Sequence, residues 1–117
     1  MKVYHGTDSP SDGIRLVRVD GRRPLPLRLD LRNHSPDGFA WGYGGSGPAQ
    51  LALALLCDHL GDEQALEFYQ DFKWRVIAGL PGGGEWTLSS ADIDVALAEI
   101  RAERASGAAL SPVDVPF

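Results

Sequence analysis

The pattern of apolar and polar residues in the N-terminal part of the sequence predicts two short extended segments. Residues 2–5 and 14–19 each fit a short strand, while residues 6–13 have the Asp, Ser, Pro and Gly content of a loop. Asp20-Gly21 predicts a two-residue hairpin turn after the second strand, because both residue types tolerate the positive φ angles of a type I′ turn. The chain therefore begins with a predicted β-hairpin.

Two further segments show a period-two alternation that is typical of β-strands. Leucine occupies every second position of residues 24–31, and the two prolines at its start, which lack an amide hydrogen, favour a strand at the edge of a sheet. Phe39, Trp41 and Tyr43 alternate with Ala and Gly in residues 39–43. This pattern predicts a strand with one aromatic face.

The middle of the chain changes to helical periodicity. Pro48 fits the first position of a helix, with Gly47 as the expected N-cap and Ser46 as the alternative. Residues 51–60 are apolar on nearly every side, which indicates a helix at the centre of the core. Gly61 is expected to end that helix.

A second helix is predicted over residues 62–80, with Asp62 as its cap and a broad apolar stripe. Trp86 and Leu88 suggest a brief strand, and Ser89 or Ser90 is expected to cap a third helix. The narrow apolar side of that third helix comprises Ile93, Leu97 and Ile100. We therefore expect it to dock on the surface of the core.

Together these elements predict an α+β fold, in which a small antiparallel sheet, made of the N-terminal hairpin and the aromatic strand, packs on two or three helices. The chain has 117 residues, of which 44% are apolar, and this is the range of a single globular domain. We expect one domain over residues 1–105 and a partly disordered tail over residues 106–117.

The apolar runs and the cysteine content bear on location. The longest apolar run, residues 51–57, is far shorter than the roughly 20 residues that span a bilayer, and the polar start lacks the apolar run of a secretory signal. Cys57 is the only cysteine, so no intramolecular disulfide can form, and we expect it to be a small core residue. These features predict a cytoplasmic protein that is not bound to a membrane.

Charge is distributed unevenly along the chain, whose net charge is −5. Residues 1–40 carry seven basic and five acidic groups, whereas residues 41–117 carry four basic and eleven acidic groups. Six arginines lie within eighteen residues: Arg15, Arg18, Arg22, Arg23, Arg28 and Arg32. They form either a local surface that attracts anions or a solvated hairpin face.

The glycine-rich segment 42–47 satisfies G-x-G-x-x-G before a helix, the local setting of a dinucleotide-binding turn. That interpretation fails, because a second parallel strand should follow the helix and another helix follows instead. A Walker A loop is also excluded, because Pro48 and Ala49 stand where Lys and Ser or Thr are required.

What remains is a helix N-terminus whose free amides can hold a phosphate or carboxylate. The competing interpretation is that the glycines only allow close packing. Our candidate ligand-binding residues are Gly44, Gly45, Ser46, Gly47, Gln50, Arg28 and Arg32.

Other candidate chemistry is weaker. Tyr69 and Lys73 have the Tyr-x-x-x-Lys spacing of short-chain dehydrogenases, but the dinucleotide-binding half of that fold is missing, so we regard the spacing as accidental. Basic and aromatic residues alternate around Lys73 but point in different directions on a helix, which argues against nucleic-acid binding. The three histidines have no metal-ligand spacing, and we expect neither a metal nor a cofactor.

Residues 38–52, followed by residues 69–73, resemble a family of short bacterial, archaeal and phage or plasmid proteins that is catalogued as a domain of unknown function. The resemblance extends from Lys2 to about Ile100, and the glycine-rich block is its most specific part. It implies no established activity and no catalytic residues. Its association with mobile elements suggests a role against host defence.

Three hypotheses follow. We favour a non-catalytic binding module for a small anion, such as a nucleotide signal, or for a host protein. The second is a small enzyme acting on a phosphate- or acyl-containing substrate through the polar loop with Asp30, His34 and Asp37. The third is a structural protein or homo-oligomer. It would use an exposed patch of Phe39, Trp41, Tyr43 and Trp86.

Overall fold

The computed structural model describes residues 1–8 and 15–106, and within them it contains a four-stranded antiparallel sheet and three α-helices. The predicted α+β class is confirmed. The strands are β1 (Val3–Asp8), β2 (Arg15–Val19), β3 (Arg23–Pro24) and β4 (Trp86–Ser89), and the helices are α1 (Ser46–Leu60), α2 (Asp62–Arg75) and α3 (Ser90–Ser106). The predictions for residues 9–14 and for the tail beyond Ser106 lie outside the described residues.

The sheet has the order β3-β2-β1-β4. The predicted turn between β2 and β3 is confirmed: Asp20 and Gly21 have φ angles of 55° and 68°, and the N–H of Arg22 donates to the carbonyl of Val19 at 3.0 Å. Residues 6–8 were expected in a loop but belong to β1, where they pair with the first half of β2. Gly6 fits this strand because the indole of Trp86 lies against its Cα.

The predicted leucine strand over residues 24–31 is wrong beyond its start, because β3 ends at Pro24. The N–H of Leu25 still donates to the carbonyl of Val17 at 2.9 Å, but Pro26 has no N–H with which to continue the ladder. Arg28 then takes a positive φ of 60°, which turns the chain away from an extended path. The alternation therefore marks a loop that buries Leu25 and leaves Leu29 exposed.

The predicted aromatic strand over residues 39–43 is also wrong, since this segment is a loop. Gly42 has a φ of 87°, and its N–H donates to the carbonyl of Ile77 in a one-turn 3₁₀ helix (Ile77–Gly79) at 3.0 Å. Trp41 is fully buried whereas Tyr43 is 53% exposed, so the aromatic side chains do not share a face. The sheet is completed instead by β4, the strand predicted from Trp86.

Helix boundaries follow local chemistry. Helix α1 begins at Ser46 with Gly45 as its N-cap, slightly earlier than predicted, and Gly61 ends it as predicted, with a φ of 97°. Helix α2 ends at Arg75, short of the predicted residue 80, because the chain tightens into the 3₁₀ turn. The predicted cap of α3 is confirmed by reciprocal hydrogen bonds between Ser89 and Asp92.

Helix α1 lies at the centre of the core, with residues 47–57 all buried. Its C-terminal end is tied to the sheet by Asp58, whose carboxylate accepts hydrogen bonds from Tyr4 at 2.7 Å, Arg23 at 2.7 Å and Lys2 at 3.1 Å. Within the described residues, every helix is too short or too polar to cross a membrane. The opposite, N-terminal end of α1 carries the candidate site.

Candidate functional site

The N-terminal end of α1 presents a run of free backbone amides. The first bond into the helix runs from the N–H of Ala49 to the carbonyl of Gly45 at 3.0 Å. Residues 43–47 have no acceptor for their N–H groups among the described residues, and Ser46 is exposed. This is the arrangement of donors that holds anions at helix N-termini.

Three glycines of this turn are in close contact with neighbouring side chains. A Cβ on Gly44 would lie 2.1 Å from Cζ3 of Trp74, and one on Gly47 would lie 2.5 Å from the Cβ of Ala40. At Gly45 the neighbour is the ring of Tyr43, at 2.5 Å. The packing interpretation is therefore supported at Gly44 and Gly47, and it is compatible with free amides on the same backbone.

Lys73 is the largely buried cation at this site. It is only 8% exposed, yet its ammonium has no hydrogen-bond or ion-pair partner in the part of the chain that the structure describes. Nζ lies 4.4 Å from the centroid of the Trp74 ring, the same ring that covers Gly44. Burial lowers the pKa of Lys73, as expected for a cation without a counter-ion.

His34 joins the same surroundings from the polar loop. Its Nε2 is hydrogen-bonded to the hydroxyl of Tyr69 at 2.8 Å, and Tyr69 precedes Lys73 by one turn on α2. The pKa of His34 is lowered by burial first and then by the positive charges of Lys73 and Arg32. These two cations thus act on one histidine, and the region has a positive potential.

Gln50, a predicted ligand-binding residue, is fully buried and holds the polar loop onto α1. Its Oε1 accepts the N–H groups of His34 at 2.8 Å and Ser35 at 3.0 Å. Its Nε2 donates to the carbonyls of Leu27 at 2.6 Å and Arg32 at 3.0 Å. The whole hydrogen-bonding capacity of the amide is used within the protein, so Gln50 positions the loop beside the turn.

The two predicted arginines differ in their surroundings. Arg28 donates to both oxygens of Asp30, at 3.0 and 3.1 Å, and to both oxygens of Asp62, at 2.9 Å each. The hydrogen bonds with Asp62 and Asp30 raise its pKa further, so its guanidinium is committed to internal carboxylates. Arg32 is exposed and makes one hydrogen bond, to the carbonyl of Leu31 at 2.7 Å.

The residues of the enzyme hypothesis are not brought together by hydrogen bonds. Asp30 pairs with Arg28, His34 pairs with Tyr69, and Asp37 is exposed. Burial raises the pKa of the Cys57 thiol to about 11, which makes it a poor nucleophile. Among the described residues, no three His, Cys, Asp or Glu side chains are grouped as metal ligands.

The expected exposed aromatic patch has a different composition. Trp41 and Trp86 are buried, 0% and 5% exposed, and meet edge to face with centroids 5.6 Å apart. Tyr43 is exposed as expected, and the second exposed ring beside the turn is Trp74, at 50%. The prediction missed Trp74 and Lys73, although a lysine placed among the apolar positions of α2 was a signal in the sequence.

Comparisons with known proteins give a family and no function. No curated protein and no solved structure matches the chain. Residues 4–99 match the model described as "Family of unknown function (DUF6166)", a span that includes the glycine turn, the polar loop and Lys73. The chain therefore belongs to the DUF6166 family.

Proposed function

We propose that this protein is a non-catalytic binding module for a small anion that carries phosphate or carboxylate, held at the N-terminal end of α1. The observation that carries the proposal is Lys73, a largely buried residue whose ammonium lies over the Trp74 ring and has no ion-pair partner among the described residues, while the ammonium itself is not fully enclosed. Contact with the ring does not neutralise this charge, so an anion bound at the turn would stabilise it.

A bound anion would resolve three features at once. It would accept hydrogen bonds from the amides of residues 43–47, give Lys73 a counter-ion, and meet the positive charge of Arg32. His34 would strengthen the site on protonation. Gln50 and the Arg28 network hold the loop that carries Arg32 and His34, so they support the site without touching the ligand.

The family resemblance suggests a biological role for anion binding. In a protein carried by a mobile element, capture of a nucleotide signal, or of a host defence protein, would interfere with the host response. This role is part of the proposal and rests on the resemblance alone.

Amide chemical shifts test the proposal directly. Inorganic pyrophosphate titrated into labelled protein is expected to shift the amide resonances of residues 43–47 together, in a saturable way. The amide of Gly61 serves as the control, because it lies at the opposite, C-terminal end of α1. The absence of saturable shifts at millimolar pyrophosphate, or shifts confined to the arginine hairpin, would overturn the proposed site.

A protein partner is the second candidate, because Tyr43 and Trp74 expose half of their rings side by side with the turn. Aromatic residues are enriched in protein interfaces. Sedimentation at several concentrations distinguishes a homo-oligomer from a monomer. A dimer that dissociates when Tyr43 and Trp74 are replaced by serine would favour this candidate.

A further inference from the structure

We infer that the anion is a mononucleotide, with its phosphate on the glycine turn and its base stacked on the indole of Trp74. This inference rests on the proposed function, and it names the class of ligand. It arises from a feature that a simple phosphate site does not need, namely two exposed aromatic rings in contact with the anion-binding backbone.

The aromatic rings lie directly beside the amides. The benzo ring of Trp74 packs with its face against Gly44, since a Cβ there would lie 2.1 Å from Cζ3, 2.2 Å from Cη2 and 2.9 Å from Cε3. The ring of Tyr43 covers Gly45 in the same way. Half of each side chain nevertheless remains exposed, 50% for Trp74 and 53% for Tyr43. A planar group therefore has a surface to stack on, next to the amides that would hold its phosphate.

Lys73 lies where it would contact both the base and the phosphate of the proposed nucleotide. Its ammonium lies over the Trp74 ring at 4.4 Å from the centroid, and the same ring packs on Gly44 of the turn. A ligand with a phosphate attached to a planar base matches this order of groups. Sulfate or orthophosphate would use the amides and the cations and leave both rings unused.

Charge favours a single nucleotide over a nucleic acid strand. Strand-binding proteins need a basic track that follows several phosphates. Here the net charge is −5, and Arg28 is paired with Asp30 and Asp62. The remaining cations, Lys73 and Arg32, suffice for one or two phosphates.

Tryptophan fluorescence offers a site-specific measurement. The chain has three tryptophans, of which Trp41 and Trp86 are buried and Trp74 is exposed, so quenching by a stacked base reports on Trp74. We would titrate pyrophosphate, ADP, GDP and UDP, correcting for absorption by the nucleotide. At least one nucleotide is expected to quench the emission and to bind about tenfold or more tightly than pyrophosphate.

Replacement of the ring tests the stacking. Trp74→Leu is expected to remove the gain in affinity of the nucleotide over pyrophosphate, both measured in the same variant, whereas Trp74→Phe is expected to retain part of that gain. Because Trp74 packs on Gly44, folding of each variant is checked by circular dichroism. A measurement on the unmodified protein, magnetisation transfer between base protons and the Trp74 ring, gives the same answer without a variant.

The outcomes separate the two proposals. Pyrophosphate binding without any gain from a base, or without transfer to Trp74, overturns the nucleotide inference and leaves the anion site standing. Absence of binding by all four ligands overturns both proposals. Tight nucleotide binding that survives in Trp74→Leu also overturns the stacking geometry.

Discussion

The side-chain oxygen of Gln50 accepts a hydrogen bond from the backbone N–H of His34 at 2.8 Å, and this contact joins the central helix to the loop that lies beside the glycine turn. The same amide bonds three other backbone groups of that loop, so one buried side chain holds a segment that has no regular secondary structure. The positions of His34 and Arg32 therefore depend on the side chain of Gln50.

Gln50→Leu is therefore expected to destabilise the protein strongly. Four backbone groups would lose their partner inside the protein, and we expect a loss of about 2–4 kcal/mol in the free energy of unfolding, measured in urea. Gln70→Leu on the exposed side of α2 is the control, expected to change stability by no more than about 0.5 kcal/mol. Equal effects of the two substitutions would contradict the role of Gln50.

Gly42 and Gly83 make a second matched pair. Gly42 has a φ of 87°, and a Cβ there would lie 2.5 Å from the Cα of Gly82. Gly83 has open space around it. Thermal unfolding is expected to show that Gly42→Ala costs at least about 1–3 kcal/mol, while Gly83→Ala is close to neutral. A neutral Gly42→Ala would mean that the loop does not adopt this close approach to residue 82.

Asp58 makes the stability depend on acidic pH. Burial raises the pKa of its carboxyl, but hydrogen bonds from Arg23, Tyr4 and Lys2 outweigh burial and leave the pKa below the usual value. A lowered pKa means that this carboxylate contributes stability above the unfolded pKa of about 4, and the contribution is lost as the pH falls through the folded pKa.

Urea unfolding at several pH values tests the contribution of Asp58 to the pH dependence of stability. The loss of stability below about pH 4 is expected to be shallower in Asp58→Asn, which should also be less stable at pH 7 by about 1–3 kcal/mol. The control is Asp37→Asn, a substitution of an exposed carboxyl. An acid profile of Asp58→Asn as steep as that of the unmodified protein would disprove the assignment.

His34 gives a prediction that links pH to ligand binding. Its pKa is lowered by burial and by Lys73 and Arg32, so the unfolded chain takes up a proton first, and stability is expected to decrease as the pH falls from about 6.5 to the folded pKa. A bound anion would oppose the two cations and raise the pKa of His34.

Imidazole resonances followed by NMR with and without pyrophosphate measure this change, with sodium chloride at equal ionic strength as the control. An increase specific to pyrophosphate is expected, and binding should become tighter as the pH falls through the pKa of His34. A pKa of His34 that pyrophosphate leaves unaltered would place the anion elsewhere.

The sequence predicted those parts of the fold that depend on local rules. The turn at Asp20-Gly21, the helix end at Gly61 and the cap at Ser89 are confirmed, because each depends on the chemistry of a few adjacent residues. The α+β class followed from the order of these elements. The boundaries of α1 and α2 differed by only a few residues.

The two strand predictions between residues 24 and 43 failed for a common reason. Both rested on alternation, but a strand also needs a neighbouring strand to pair with. The carbonyl of Leu27 in the first segment bonds to Gln50 instead, and the N–H of Gly42 in the second bonds to Ile77. Periodicity alone cannot show that a buried glutamine on a distant helix replaces a strand partner.

The sequence predicted the glycine turn as the candidate site, but the prediction did not include every side chain that packs around this turn. The free amides at the start of α1 follow from the glycines and Pro48, whereas Lys73 and Trp74 reach the turn through tertiary packing of α2. Arg28 belonged to the predicted set because charge patterning cannot reveal that Asp30 and Asp62 already occupy its guanidinium.

The central claim, that the ammonium of Lys73 binds an anionic ligand, is tested most directly by calorimetric titration of pyrophosphate into Lys73→Met and Arg22→Met. Both variants remove one positive charge, but Arg22 is exposed in the hairpin turn. We predict that Lys73→Met binds about tenfold or more weakly, with unfolding stability equal to or above that of the unmodified protein, and that Arg22→Met binds normally. Unchanged pyrophosphate affinity in a folded Lys73→Met, or equal losses in both variants, would contradict the account.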